Sequence, residues 1–116
     1  MAYTETVKIK YYLKASGKSP VETFIHECSD GLKADFFDAV SQLADGKTLS
    51  MPVSRNLANI HAGLHELRLK DRSGQVRVFY YIKKNDAIYL LHSFQKKAQE
   101  LPKNEIEIVL KRIKEI

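Results

Sequence analysis

The sequence contains a single cysteine, Cys28, and no tryptophan. One cysteine cannot form an internal disulfide, and it is too few for a zinc cluster built on thiolates. The chain also lacks any apolar run that approaches the roughly 18 residues needed to cross a bilayer, and its first residues lack the charged-then-apolar pattern of a secretion signal. We therefore expect a protein of the reducing cytoplasm that does not enter a membrane.

The size and composition of the chain are those of one ordinary globular domain. It has 116 residues, of which 44% are apolar and 28% are charged. At this length a single hydrophobic core buries about two-thirds of the unfolded surface, so neither a metal nor a disulfide is needed to hold the fold. No internal repeat or linker divides the sequence, and we expect one domain over residues 1–116.

Charge is unevenly distributed along the chain. The formal net charge is +5 at pH 7. Residues 65–103 carry nine Lys and Arg against four Asp and Glu, whereas residues 21–45 carry six acids against the single Lys33. A basic segment of this kind favours a polyanionic partner, although charge also serves simply to keep a small domain in solution.

The first half of the chain predicts one strand and two helices. Alternating apolar residues predict a strand near residues 5–13. Ser19 followed by Pro20 predicts a short helix that ends near Asp30–Gly31, where the glycine would take the left-handed cap. A second helix, closed by Gly46, carries an apolar stripe made of Leu32, Phe36, Val40 and Leu43. Residues 47–62 show no period and predict a loop.

The second half predicts three strands joined by tight turns, and then a helix. Two-residue periodicity returns at Leu64, continues over 76–82 after a polar turn, and leads to an almost wholly apolar strand from Ala87 to Phe94. Strands joined so tightly must be antiparallel. Pro102 opens the last helix. The predicted order is β-α-α-β-β-β-α, an α+β fold with a small antiparallel sheet flanked by helices.

Three short motifs follow one another in this second half. They are Glu-Leu-Arg at 66–68, Val-Arg-Val-Phe-Tyr-Tyr at 76–81 and Leu-His-Ser-Phe-Gln-Lys-Lys at 91–97. In this order, and followed by a proline-opened helix, they resemble the RelE/ParE superfamily of bacterial toxins, in particular its phage-related HigB-like branch. The element order fits the family over most of the chain, while the motifs are confined to residues 63–103.

The resemblance implies a RelE-like toxin of a type II toxin–antitoxin system. Such a toxin cleaves mRNA that is engaged by the ribosome, without a metal or another cofactor. The expected partners are mRNA, the ribosome and a cognate helix-turn-helix antitoxin, and the oligomeric state, alone or with the antitoxin, stays open. The active surface implied by the family is a concave sheet face that carries basic residues.

Carried over position by position, the resemblance assigns the basic active surface to Arg68, Arg77, Lys96 and Lys97. Among the basic residues of this segment we expect Arg68, Arg77 and Lys97 to act in catalysis. We expect RNA binding from Lys70, Lys96, His65 and His92. The sequence departs from the family at His65, where many relatives carry a bulky aromatic, and at Leu101, where a capping Ser or Thr is common. The tyrosine that some relatives use in the last helix is absent from residues 102–116.

The residue types suit the cleavage of RNA by its own 2′-hydroxyl. Arginine pairs two phosphate oxygens at once and stays protonated, so it stabilises the charge that develops on the attacked phosphate. Alternation places Arg68 and Arg77 on neighbouring strands, where they either converge on one phosphate or merely solvate an exposed face. Glu66 serves either as a general base or as a carboxylate that holds the neighbouring basic side chains in place.

The two histidines of the basic segment are the other acid–base candidates, because an unperturbed histidine titrates near neutral pH. Alternation puts His92 on the same side of its strand as Ile88, Leu90 and Phe94, where a packed and hydrogen-bonded histidine is favoured over a catalyst. For His65 the two roles are evenly balanced.

Two other functions remain open at this stage. A ParE-like relative would inhibit DNA gyrase by protein contact, with the same fold but no working basic surface. An inactive member would be kept only as a binding partner. The set of Arg68, Arg77, Lys96 and Lys97 favours the nuclease, while the lack of an evident acid or base weakens it.

Overall fold

A computed structural model describes residues 6–116 as three helices packed on a five-stranded sheet. The elements follow one another as β1 (Ile9–Tyr11), α1 (Pro20–His26), α2 (Asp30–Ala44), β2 (Ser54–Asn56), β3 (Leu64–Asp71), β4 (Gly74–Ile82), β5 (Ile88–Lys96) and α3 (Lys103–Glu115). The predicted α+β class, a small sheet flanked by helices, is confirmed. None of the described helices is long and apolar enough to cross a membrane.

The sheet is mixed, which corrects the prediction of a wholly antiparallel one. Its strand order is β1-β5-β4-β3-β2, and β1 lies parallel to β5 with Ile9 opposite Ile88. All other neighbours are antiparallel. Most of the chain lies between β1 and β5, so no tight turn connects them, and the sequence does not show in which direction β1 runs beside β5. β1 occupies only 9–11 of the predicted 5–13, and residue 5 lies outside the described residues.

β2 lies inside the segment that was predicted as a loop. Ser54 pairs with Leu67 of β3, and its hydroxyl shares a hydrogen bond of 2.6 Å with the buried hydroxyl of Tyr80. A strand of three residues is too short to show a two-residue period, so only its pairing with β3 reveals it.

α1 begins where the sequence predicts, but it ends earlier. The hydroxyl of Ser19 accepts a hydrogen bond from the Glu22 backbone N–H at 3.3 Å, and Pro20 occupies the first helical position. The predicted end near Asp30–Gly31 is wrong, because α1 stops at His26.

α2 begins at the residues that were taken for the end of α1. Ser29 is its N-cap and accepts from the Leu32 backbone N–H at 3.3 Å, so Gly31 sits in the first turn of a helix rather than at a C-terminal cap. At the other end Gly46 has a φ of 83°, which is the left-handed conformation that its predicted closing role requires.

A bulge in β5 changes which residues share a face of the sheet. Phe79 lies opposite His92, whereas the next residue, Tyr80, lies opposite Leu90. Leu91 is therefore the extra residue, and beyond it the alternation of β5 is reversed. The prediction that His92 shares a side with Leu90 is wrong.

Both faces of the sheet are covered, each by a different part of the chain. The first face packs on α1 and α2, and its core includes Val21, Ile25, Leu32, Phe36, Leu43, Leu67, Leu69, Val78, Tyr80 and Leu90. The second face packs on α3, and its core consists of Leu57, Leu64, Phe79, Leu91, Phe94, Val109 and Ile113. The predicted stripe of α2 is buried, except that Val40 is only partly covered.

α3 covers only part of the second face. The helix follows Pro102 as predicted, has no side-chain cap, and packs through Val109 and Ile113 on β5. Nearer the turn between β3 and β4, the same face carries charged side chains instead of apolar ones. This charged part of the second face holds Arg68 and Arg77, opposite each other on β3 and β4.

Candidate functional site

Arg68 and Arg77 form a direct cross-strand pair on the second face. Their Cα atoms are register partners of β3 and β4. The backbone N–H of Arg68 donates to the Val53 carbonyl at 2.8 Å and so points away from β4. The pair is therefore of the non-hydrogen-bonded kind, in which opposite side chains approach most closely. The predicted convergence of the two arginines on one face is what the register produces.

Arg77 is a buried arginine, which corrects the alternative that it merely solvates an exposed face. Only 3% of the residue is exposed. Its guanidinium donates to the Gln75 side-chain oxygen at 2.7 Å and to the Val76 carbonyl at 3.3 Å, and its Nε lies 3.9 Å from Oε2 of Glu66. Burial holds the pKa of Arg77 below its ordinary value, although the nearby Glu66 carboxylate opposes this shift. The side chain is thus fixed from three sides.

Glu66 is a buried carboxylate on the same face of the sheet as the two arginines. It is 2% exposed, and β3 places it two residues before Arg68 on the same face. Its Oε2 lies 3.9 Å from Nε of Arg77, so the geometry favours a role in holding the basic side chains in place over that of a general base.

Three buried polar atoms of this cluster have no hydrogen-bond partner within the described part of the chain. They are Oε2 of Glu66, Nε of Arg68 and Nε of Arg77. Buried polar groups are nearly always paired in folded proteins, and an unpaired group marks a place that a ligand or solvent completes. Nε of Arg77 and Oε2 of Glu66 are 3.9 Å apart, which is too long for a hydrogen bond. The guanidinium groups of the register partners Arg68 and Arg77 suit a ligand with several acceptor oxygens.

The arrangement also carries an electrostatic cost. Like charges directly opposite one another on a sheet are destabilising, and one carboxylate stands against two guanidinium groups here. An anion that binds between Arg68 and Arg77 relieves this repulsion. The cluster is therefore suited to binding an anion more than to stabilising the fold.

Lysines extend the cationic surface along the same face. Gln75 of β4 lies between Lys70 of β3 and Lys96 of β5 in the register of the sheet. Lys97 follows the end of β5 and is exposed. An open cavity of about 530 Å³ is lined by Arg68, Gly74, Gln75, Lys96, Lys97, Ala98 and Gln99. We call this cavity, together with the Arg68–Arg77 pair, the cationic groove.

The cations in the groove influence one another. Desolvation lowers the pKa of Lys96 from its ordinary value of 10.5, and Arg77 lowers it further, while Glu66 opposes the shift. Lys96 is half-buried and Lys97 is exposed, so these two adjacent lysines differ in their surroundings. Lys96 is the one coupled to the arginines.

Arg55 is a cation of this surface that the sequence did not reveal. It lies on β2, opposite Glu66, and it adds to the downward shift in the pKa of Lys96. No alternation or motif marks it, because β2 is hidden in an aperiodic segment. Only the pairing of β2 with β3 brings Arg55 to the groove.

His65 lies on the first face of the sheet, away from the groove. Its ring stacks on Tyr80 with centroids 5.0 Å apart, and burial lowers its pKa. The structure therefore does not bring His65 together with Lys70 and Lys96, the lysines expected to bind RNA with it, because adjacent residues of a strand point to opposite faces and His65 shares the face of Leu67.

His92 lies on the second face but is held under α3. Its Nε2 is 2.5 Å from Oε2 of Glu105, and its Nδ1 is 3.2 Å from the Arg112 guanidinium. Its ring stacks near Phe79 and Phe94. The structure therefore places His92 as a packed, hydrogen-bonded histidine of the α3 contact, outside the cationic groove.

The two histidines give the fold a measurable dependence on pH. Burial lowers the pKa of His65, and it also lowers that of His92 against the opposing effect of Glu105. The unfolded chain therefore takes up protons first as the pH falls below 6.5, the ordinary histidine value, and the free energy of unfolding should fall with it. Urea titrations at pH 7.5 and 5.0 measure this loss.

The matched control for this pH dependence is the chain with both histidines replaced, His65→Gln and His92→Gln. Its free energy of unfolding should change less between pH 7.5 and 5.0 than that of the original chain. An equal loss in both proteins would show that other groups are responsible.

Fold and groove together define a small α+β protein with a cationic groove on one sheet face. No group of His, Cys, Asp or Glu side chains within residues 6–116 is arranged to hold a metal ion. The family model of Gp49-like phage-derived proteins matches residues 23–114, and the chain belongs to that family, which is linked to toxins of toxin–antitoxin systems. No curated protein matched the chain significantly.

Proposed function

We propose that the protein is a RelE/ParE-type toxin of the HigB-like branch that cleaves mRNA at the ribosome without a metal. Membership of the Gp49-like family supports the proposal that the protein is a toxin of a toxin–antitoxin system. The observation that carries the nuclease activity is the cross-strand pair of Arg68 and Arg77, with their unpaired guanidinium donors in a groove of further cations. This proposal places its action in the cytoplasm, where translated mRNA lies.

In the proposed reaction the 2′-hydroxyl of RNA gives up its proton to solvent and attacks the adjacent phosphorus, and the bond from phosphorus to the 5′-oxygen of the next nucleotide breaks. Negative charge grows on the non-bridging oxygens, where the forks of Arg68 and Arg77 stabilise it. Glu66 acts as a positioning residue that holds Arg77 in place. The RNA supplies its own nucleophile, so the protein's main task is to orient and stabilise charge.

The lysines take different parts in this reaction. Lys96, coupled to Arg77, is the candidate donor of a proton to the leaving 5′-oxygen, because a lysine with a lowered pKa gives up its proton more readily. Lys97 and Lys70 attract the phosphate chain as point charges. Lys97 belongs to the proposed site because it lines the groove.

The activity is tested by inducing expression of the protein in bacteria without its antitoxin. Growth should stop, and mRNA in the ribosome-associated fraction should become shorter within minutes. Halted growth with intact mRNA and accumulated gyrase-linked DNA breaks would contradict the nuclease and support the ParE-like alternative.

The proposed partner is a helix-turn-helix antitoxin with an acidic or amphipathic segment that covers the cationic groove. Electrostatic attraction speeds the association of opposite charges and depends on salt. Charge reversal at Lys96 and Lys97 should therefore slow complex formation about tenfold or more and flatten its salt dependence. Association rates of the purified pair at several salt concentrations measure this effect.

The matched control for antitoxin binding lies on the acidic helix α2, where Asp35 and Asp38 are exposed. Charge reversal there should leave the association rate nearly unchanged. If it abolishes binding while the lysine variant binds normally, the antitoxin docks on the helices and the groove is left open.

A further inference from the structure

Three consecutive apolar residues stand at the rim of the cationic groove. Met51 is 55% exposed and Val53 is 42% exposed, with Pro52 exposed between them. Single apolar side chains on a surface are ordinary, but an uninterrupted run beside a charged cluster is not explained by the fold. We call Met51, Pro52 and Val53 the apolar shelf.

The shelf is joined directly to the arginine pair. The Arg68 guanidinium donates to the Met51 sulfur at 3.3 Å, and the Arg68 backbone N–H donates to the Val53 carbonyl at 2.8 Å. A cavity of about 320 Å³ is lined by Pro52, Val53, Arg68, Leu69, Lys70, Gln75 and Arg77. The lining thus combines apolar side chains, among them Pro52 and Val53, with the cationic side chains of Arg68, Lys70 and Arg77.

We propose that this cavity is a nucleotide subsite, in which the arginines hold a backbone phosphate and the shelf supports the neighbouring nucleobase. The inference rests on the proposed function and adds to it the part of the substrate that is recognised. Phosphate alone has no use for an apolar wall, whereas a nucleotide carries its charge and its flat apolar ring close together. The base must be free of a duplex to reach the shelf, so the ligand is single-stranded RNA.

An acidic protein segment with an apolar side chain is the other ligand that such a cavity suggests. Met51, Pro52 and Val53 are all exposed, so the shelf does not enclose a side chain placed on it. A planar ring needs support on only one of its faces, whereas an aliphatic anchor is bound best by a pocket that encloses it. The open geometry therefore favours a nucleobase, and the acidic segment becomes an outcome of the experiment.

The experiment compares two strands that bear the same number of phosphates. One is a 2′-O-methyl RNA hexamer, which lacks the attacking hydroxyl and so stays intact, and the other is the same hexamer without its bases. Fluorescence anisotropy at low salt measures both affinities. The protein should bind the hexamer with bases about fivefold or more tightly than the abasic strand. The double variant Met51→Ser/Val53→Ser should reduce this preference to less than about twofold.

Two further variants control for other effects. Leu13 and Ile82 are 57% and 41% exposed and are absent from the lining of the groove and the subsite, so Leu13→Ser/Ile82→Ser matches the shelf variant in lost apolar surface. It should keep the full preference for bases. Met51→Leu removes the sulfur contact with Arg68 but keeps the shelf apolar, and it should keep the preference too.

The possible failures are distinguishable. Equal binding of the two strands, with Arg68→Gln weakening both, overturns the subsite and leaves the proposed function standing. Binding that is unaffected by Arg68→Gln, or no binding of either strand, overturns both. If the shelf variant loses affinity for an acidic peptide with one leucine but keeps its preference for bases, the shelf serves a protein partner and the nucleotide subsite is wrong.

Discussion

Glutamine in place of Arg77 is expected to lower the rate of mRNA cleavage by at least about a hundredfold. Arg77 lies opposite Arg68, and its Nε has no hydrogen-bond partner within the described chain. In the proposed reaction its guanidinium stabilises charge on the attacked phosphate. Cleavage of a reporter mRNA in a reconstituted translation mixture, with and without the substitution, measures the loss. Growth arrest on induction should disappear with it.

The same substitution is expected to affect stability, because Arg77 is buried beside Glu66. Removing one partner of a buried ion pair leaves the other charge uncompensated, at a cost of about 3 kcal/mol in the free energy of unfolding. A loss of activity by Arg77→Gln alone therefore has two possible causes, which a second variant separates.

The separating variant is Glu66→Gln/Arg77→Gln, in which both charges of the pair are removed. It should recover most of the lost free energy of unfolding in urea titrations while its cleavage stays about a hundredfold or more below that of the original protein. Recovery of cleavage together with stability would show that Arg77 is structural. Arg77→Lys keeps the positive charge but loses the two parallel donors of the guanidinium. The cleavage rate that it retains, relative to the original protein, would measure how much the bidentate contact with phosphate contributes.

Alanine in place of Phe36 or Phe79 is expected to lower the free energy of unfolding by about 3–5 kcal/mol. Phe36 of α2 is fully buried against the first face, and Phe79 of β4 is fully buried against the second. Because one sheet carries both cores, each substitution should shift a single cooperative transition. Thermal unfolding followed by far-ultraviolet circular dichroism and by tyrosine fluorescence measures it.

This pair of substitutions also tests the proposal that residues 1–116 form one domain. If Phe36→Ala moves one transition and Phe79→Ala moves a different one, the two faces fold separately and the proposal is wrong. The exposed Phe37 offers a control, since its replacement by alanine removes little packing and should shift the transition only slightly.

Strand periodicity was enough to predict that Arg68 and Arg77 share a face of the sheet, because their relative position depends only on a tight turn and on the alternation of side chains along each strand. The turn at 71–74 fixes the register of β3 against β4, and that register sets Arg68 opposite Arg77. The same parity put His65 on the side of Leu67, so the sequence already held the signal that separates His65 from the arginines.

Other features depended on contacts that no local pattern encodes. The bulge at Leu91 changes the face of His92, and alternation without the bulge predicts the wrong side. The burial of Arg77 follows from Gln75 and Glu66, which surround its guanidinium. Arg55 comes to the groove through a three-residue strand. Each of these depends on tertiary pairing rather than on a sequence period.

The ends of the RNA fragments test the central claim most directly. Purified protein is added to ribosomes translating a defined mRNA, and the chemical groups at the new ends are identified. Attack by the 2′-hydroxyl leaves a 2′,3′-cyclic phosphate on one fragment and a 5′-hydroxyl on the other, and we expect these ends with the original protein and none with Glu66→Gln/Arg77→Gln. Uncut mRNA, or fragments with a 5′-phosphate, would contradict the account.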